Sequence, residues 1–259
     1  MSPEDDRALL AGAARAGGDA AMTFFRRDPK RWDKPGEAGP VTEADLAVDA
    51  LLTQTLRAAR PGYGWLSEET PDDAARLSHE TVFIVDPIDG TRAFIAGETG
   101  WCVALAVARA GRITAAAAWF PALGALYTAA EGRGALRDGQ PIRHSGRSAL
   151  GGAAVLAGAA QLGPEHWPHG APPVTRSLRP SLIQRICLVA DGGFDATLSF
   201  RRTWEWDIAA GALIASEAGC AVTDGAGAPL RFNAADPRAE GLIVAPPPLH
   251  AALMDRRRR

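Results

Sequence analysis

Apolar positions recur at helical spacing near the N-terminus. Residues from Glu4 to Phe25 are rich in Ala and Leu with few breakers, which predicts a helix packed on a core. The polar stretch from Asp28 to Pro40 carries Pro and Gly and is expected as a loop. Thr42-Glu43-Ala44-Asp45 then opens a second helix with Thr42 at its N-cap, and Pro61-Gly62 ends it. Leu46, Ala50, Thr53 and Leu56 are expected on one face of that helix. From Thr81 onward the pattern changes to short apolar runs at 81–85, 102–108, 113–120, 125–129 and 134–136. Gly111, Pro121–Gly124 and Glu131–Gly134 punctuate them, as in antiparallel strands joined by tight turns. The second half alternates, with strands near 153–157 and 194–200 and helices near 181–191 and 207–218. Val222 and Leu242–Val244 supply further short strands, completing an α/β alternation. A division in the polar stretch Arg143–Ser148 separates an N-terminal α+β unit, residues 1–145, from a C-terminal α/β unit, residues 146–259.

Composition narrows the class without choosing a function. At 259 residues, with 47% hydrophobic and 22% charged residues, the chain has the makeup of an ordinary globular protein with a sizeable core. A formal net charge of -2 provides no bulk attraction for nucleic acid or an anionic membrane. The basic run Arg256–Arg259 is expected to be a frayed, solvated tail. Cys102, Cys187 and Cys220 are isolated in apolar contexts, without metal-ligand spacing or a disulfide framework. No signal-peptide pattern opens the chain and no apolar stretch is long enough to span a bilayer, so a cytoplasmic location is expected.

The chemistry concentrates in acids. Val85-Asp86-Pro87-Ile88-Asp89-Gly90-Thr91 ends an apolar run with two carboxylates three residues apart, followed by a backbone able to turn sharply. Mg²⁺ prefers oxygen ligands and is usually held by one or two carboxylates with phosphate oxygens, so the stretch suits a metal held against a phosphate. A plain turn is the competing reading, because Asp-Pro and Asp-Gly are turn formers. An EF-hand fails, since Pro87 and Ile88 stand where that loop needs ligands. An aspartyl-nucleophile phosphatase is disfavoured by the spacing, because strand alternation puts i and i+2, not i and i+3, on one side. Ser67-Glu68-Glu69 follows a short apolar segment that can deliver carboxylates to a strand end. Asp207, in Trp206-Asp207-Ile208-Ala209-Ala210-Gly211, starts a helix of small residues. Singly, each acid has a structural alternative: Glu68-Glu69 a solvated loop, Asp207 an N-cap, Asp45 the acidic partner of a capping box.

Together, in this order, Thr42-x-x-Asp45, Ser67-Glu68-Glu69, Asp86-Pro87-Ile88-Asp89-Gly90-Thr91 and Trp206-Asp207-x-Ala-Ala-Gly resemble the inositol-monophosphatase superfamily of Mg²⁺-dependent, lithium-sensitive phosphatases. Val41–Asp45, Trp65–Glu69 and Glu205-Trp206-Asp207 are most similar to its 3'(2'),5'-bisphosphate nucleotidase branch. The resemblance implies a layered α-β-α-β-α sandwich with the site between its two parts. It implies two or three Mg²⁺ ions held by the carboxylates of Glu68, Asp86, Asp89 and Asp207 and the carbonyl of Ile88. Asp45 and Thr91 match the pair that orients and deprotonates the attacking water, with Glu68 counted among the catalytic groups. The N–H groups of Gly90 and Thr91 would cradle the phosphate at a helix start, and Glu69 is a weaker candidate. Two carboxylates about 4 Å apart repel by roughly 4 kcal/mol at an effective dielectric of 20, so converging acids independently call for cations.

The resemblance implies hydrolysis of a small phosphomonoester by direct water attack, foremost 3'-phosphoadenosine 5'-phosphate, with inositol phosphate and histidinol phosphate as alternatives. A non-catalytic metal- or phosphate-binding regulator on the same fold ranks lower, because Asp45 and Thr91 are both present. No nucleic-acid polymer or membrane partner is expected, and the resemblance favours a homodimer. Three positions depart from the nucleotidase pattern: Arg92-Ala93-Phe94 replaces Lys-Glu-Phe, Arg179-Pro180-Ser181 stands where Gly-Ser is usual, and Glu217–Cys220 replaces a Gly-Gly ending. Arg92 and Arg179 are candidates for a second phosphate or a ring hydroxyl, and Ser181 and Asp207 for further substrate contacts. Trp204 and Trp206 are read as core residues ahead of base-stacking ones. His79, His144, His166, His169 and His250 lack paired ligand spacing and are assigned to the surface.

Overall fold

The structure is a computed structural model that describes residues 1–34 and 39–258. Ser2 and Asp5 form a reciprocal cap on α1 (Pro3–Met22), with Pro3 in its first turn. A ribbon of β1 (Arg31–Asp33) and β2 (Pro40–Thr42) leads into α2 (Glu43–Ala59). There follow β3 (Gly64–Ser67), β4 (Thr81–Asp89) and α3 (Thr91–Ile95), then β5 (Cys102–Arg109), β6 (Arg112–Phe120), β7 (Ala125–Ala130), β8 (Ala135–Arg137) and β9 (Gln140–Pro141). Strands β3 to β9 form a seven-stranded sheet in chain order, β3 parallel to β4 and each later pair antiparallel.

The remaining chain supplies β10 (Ala154–Leu156), β11 (Thr175–Ser177), α4 (Leu182–Ala190), β12 (Ala196–Ser199), β13 (Thr203–Trp204) and α5 (Ala209–Glu217). It ends with β14 (Ala221–Thr223), β15 (Arg238–Ala239), β16 (Leu242–Ala245) and α6 (Pro247–Arg258). Five of these strands form the second sheet, in the order β11-β10-β12-β16-β14, while β13 and β15 form a separate two-stranded sheet.

Strand alternation sorts the side chains into layers. Phe83 and Val85 of β4, with Val103 and Leu105 of β5, pack against Leu10 and Ala14 of α1 and Val48 and Leu52 of α2. Their neighbours Val82, Ile84, Ala104 and Ala106 face the other way, onto Ile183 and Ile186 of α4 and Ala210 and Ile214 of α5. That cluster also takes in Leu242 and Val244 of β16, whereas Ile243 and Ala245 turn outward to Leu249 and Leu253 of α6. The result is the expected α-β-α-β-α sandwich. Both sheets are covered on both faces, which is why their central strands read as nearly unbroken apolar runs. Residues 142–153 join the two sheets, and one apolar cluster draws on both sides of residue 145.

Four details differ from the sequence reading. Within the expected loop, residues 31–33 pair with β2, and residues 35–38 lie outside the described ones. The buried face of α2 carries Ala44, Asp45, Val48, Leu52 and Leu56, while Leu46 is exposed. Arg256 and Arg257 are not a frayed tail: they belong to α6, where the Arg257 guanidinium lies 3.9 Å from the Phe200 ring centre and donates to the Gly225 carbonyl. Arg259 lies outside the described residues. His250 is buried and its Nε2 lies 2.8 Å from Thr223 Oγ1. The three cysteines are free and buried, and among the described residues no helix is long and apolar enough to cross a membrane.

Candidate active site

Asp86 and Asp89 meet because β4 is irregular between them. Asp86 pairs with Ala104 and Asp89 with Cys102, so three steps along β4 match two along β5. Pro87 brings no N–H to the ladder, and the extra residue is absorbed as a bulge. An i, i+3 spacing thus does the work of i, i+2, and both carboxylates reach one side. Carboxylate oxygens of Asp86, Asp89 and Asp207 lie within 4.8 Å of one another. Asp86 Oδ1 is buried and has no hydrogen-bond partner among the described residues. An orphaned acceptor among three carboxylates fits a hard divalent cation, which takes oxygen ligands.

The strand end turns at Gly90, with φ of 94°, and passes straight into α3. A side chain there would be strained by that φ, and its Cβ would sit 3.2 Å from Ser181 Cβ, so Gly is the residue that fits. In the first turn of α3, Thr91 Oγ1 lies 3.3 Å from Asp45 Oδ1 and 3.2 Å from the Ile88 carbonyl oxygen. The other oxygen of Asp45 accepts from Thr42 N (2.8 Å) and Thr42 Oγ1 (2.6 Å), closing a capping box on α2. Asp45 therefore both caps its helix and faces Thr91. Burial outweighs those hydrogen bonds and pushes its carboxyl up to about 6.

Strand β3 delivers Glu68 and Glu69 alongside β4. Asp49 of α2 accepts from Ser67 Oγ (2.6 Å) and Thr70 Oγ1 (3.0 Å), pinning the segment that carries both acids. Lys34 Nζ donates to Glu68 (2.9 Å) and Glu69 (2.7 Å). Burial raises the Glu69 carboxyl to about 7 despite that ammonium. Glu68 lines the same cavity as the aspartate triad without joining its closest cluster.

The two central helices brace the remaining ligands. Ser181, the N-cap of α4, donates to Asp89 Oδ2, which also accepts from Ile183 N at 3.0 Å. Ser181 is fully buried and is absent from the cavity wall. Burial raises the Asp89 carboxyl to about 6, opposed by the Ser181 and Ile183 hydrogen bonds. Burial and neighbouring carboxylates raise Asp86 and Asp207 well above the ordinary range. Asp207 stands two residues before α5. Next to it, buried Glu205 accepts from Asn233 N (2.6 Å) and Ala234 N (3.0 Å), tying the segment to the loop behind it.

A cavity of about 490 Å³ collects Lys34, Glu68, Asp86, Asp89, Gly90, Thr91, Arg92, Arg201, Trp204, Trp206 and Asp207. Arg179 is not brought to it; its guanidinium lies over the Phe194 ring, 5.6 Å from the centre. Trp204 is not a core residue. It is 36% exposed and stacks on Trp206, with ring centres 4.7 Å apart. Sequence reasoning missed Lys34, Asp49 and Arg201. Lys34 sits in a stretch read as a linker, Asp49 lies mid-helix, and nothing separates Arg201 from its neighbour Arg202 without the structure.

Known proteins give this arrangement its context. The pattern of the inositol monophosphatase family matches residues 3–259. The chain is 34% identical to a 3'-phosphoadenosine 5'-phosphate phosphatase of Mycobacterium leprae, covering 90% of this chain and 86% of the relative. It is 32% identical to an inositol-1-monophosphatase of Rhizobium meliloti, with 86% of each covered. Among solved structures, the IMPase of Thermotoga maritima superposes with a TM-score of 0.83 at 25% identity, over 97% of this chain and 96% of that one. The chain belongs to the inositol monophosphatase family, whose members hydrolyse phosphomonoesters.

Proposed function

We propose that the protein is a Mg²⁺-dependent phosphomonoesterase acting by direct attack of water, with 3'-phosphoadenosine 5'-phosphate as substrate and AMP as product. The observation that carries the reaction is the convergence of Asp86, Asp89 and Asp207 around the unpartnered Asp86 Oδ1. These three, with Glu68 and the Ile88 carbonyl, would hold the cations. Bound Mg²⁺ would supply charge neutralisation for the phosphate and acidify a water. Gly90 and Thr91, on the cavity wall where α3 begins, would face the phosphate. In the proposed step the nucleophilic water gives a proton to Thr91 Oγ1 as Thr91 passes its own to Asp45 Oδ1, 3.3 Å away. Asp45, fixed by Thr42, is the sink for that proton.

The substrate reading rests on the Mycobacterium leprae relative and the nucleotidase-like motifs. Inositol 1-phosphate is the second reading, supported by a relative at similar identity. Phosphate release with Mg²⁺ from the bisphosphorylated adenosine, inositol 1-phosphate and histidinol phosphate separates the two. Release from none would sink the enzyme reading. Asp86→Asn is expected to lower kcat by about 10³-fold or more, in keeping with loss of a group that organises transition-state charge. Its circular dichroism spectrum should match wild type, and near-normal turnover would overturn the ligand assignment. Family resemblance adds inhibition by lithium as an expected outcome of the same assay.

A further inference from the structure

Four acids line the cavity, so a substrate with a second anionic group needs a cation beyond any metal bound at the triad. Lys34 is already committed to Glu68 and Glu69. Two guanidinium groups also line the wall, Arg92 and Arg201, and neither forms an ion pair among the described residues. Arg201 differs from the arginines around it. Arg202 is taken up by Asp236 (2.6 Å) and Glu240 (2.9 Å), and Arg238 by Asp236 (2.7 Å). Asp236 and Glu240 are thus spent on the outer side, while Arg201 lines the cavity.

The segment carrying Arg201 is held firmly. Thr203 Oγ1 donates to the Arg201 carbonyl (3.0 Å), β13 pairs with β15, and buried Glu205 anchors the chain to residues 233 and 234. Six residues along, the same segment presents Asp207 to the triad, and the Arg201 charge acts on that carboxylate. Between them, the stacked Trp204 and Trp206 form an apolar wall. The cavity size lies within the roughly 300–1,000 Å³ usual for small-molecule sites. Arg92, by contrast, also borders a separate groove with Arg31, Trp32 and Ile95.

We propose that Arg201 is a specificity-determining residue: it binds a second phosphate on the leaving group and so selects bisphosphorylated over monophosphorylated substrates. The inference rests on the phosphomonoesterase reading and names the group that chooses among its substrates. A planar guanidinium suits a phosphate bidentately, which an ammonium does not.

The test compares adenosine 3',5'-bisphosphate with adenosine 3'-phosphate, which lacks only the second phosphate, for wild type, Arg201→Ala and Arg201→Lys. Wild type should favour the bisphosphate. In Arg201→Ala the ratio of kcat/KM values should fall by about ten- to a hundredfold, through KM, and Arg201→Lys should recover part of it. AMP retains the second phosphate, so its affinity measured by titration calorimetry should weaken about tenfold or more in Arg201→Ala. A wild-type preference that survives in Arg201→Ala, with AMP affinity intact, would overturn the inference and leave the nucleotidase reading standing. A wild type that cleaves inositol 1-phosphate ahead of both nucleotides would overturn both. Arg201 is exposed, so the variant is expected to fold.

Discussion

Asp89 shows how much one residue depends on its neighbours. Its Oδ2 is held by Ser181 and the Ile183 amide, and its carboxylate joins Asp86 and Asp207 in the triad. Ser181→Ala removes both a helix cap and this brace. It is expected to cost about 1–2 kcal/mol in denaturant unfolding and to lower kcat about tenfold, as a misplaced ligand should. Wild-type turnover in Ser181→Ala would mean that Asp89 needs no brace. The identity of the acids was legible in the chain because their motifs are particular. Their convergence was not, since an i, i+3 pair on a strand points to opposite faces until a bulge is inserted. Ser181 was readable as a substrate contact for the same reason: its distance along the chain from Asp89 hides that it faces inward.

Helices α4 and α5 together position the deepest part of the site, one bracing Asp89 and the other following Asp207. They can approach closely because α5 has Gly211 against Ile186, where an added Cβ would lie 2.8 Å from Ile186 Cδ1. Gly211→Val should therefore wedge the helices apart, destabilising the fold by about 1–3 kcal/mol and reducing kcat more than it changes KM. Equal stability and kcat in thermal and kinetic assays would show that the contact relaxes without cost to the site. At this scale the apolar periods located most helices and strands. They failed on α2, where Asp45 lies on the buried face with Val48 and Leu52 while Leu46 is exposed. A hydrophobic count assigns acids to solvent, so a helix that turns its carboxylate toward a site misleads it. The end of α6 failed for a related reason, because Arg257 packs its charge over Phe200 instead of leaving it in water.

Across the whole molecule, five layers bring the ends of β3 and β4, the starts of α3 and α4 and the segment before α5 to one cavity, at the cost of crowding carboxylates. Without metal, Lys34 alone among the described residues pairs directly with this group. Burial holds the folded-state carboxyls of Asp45 and Asp89 near 6 and that of Glu69 near 7, above ordinary carboxylate values. The folded protein thus binds these protons more tightly than the unfolded chain. The stability they confer is fully present below about pH 4 and is lost as pH rises through 6 to 7. Other groups oppose this at the acid extreme: Asp236 is held well below the usual range by Arg238 and Arg202. The window that isolates the site is therefore about pH 5 to 8. Metal-free protein, prepared with a chelator, should show a falling Tm across that window. Added Mg²⁺ should raise Tm at pH 8 and do much less at pH 5, where protons already occupy the carboxylates and binding must displace them. A metal-free Tm that rises steadily from pH 5 to 8, or an equal Mg²⁺ effect at both ends, would show that the buried acids do not set the balance. The legible family motif and the illegible crowding are two sides of one fact: the fold stores unfavourable charge where the reaction needs a cation.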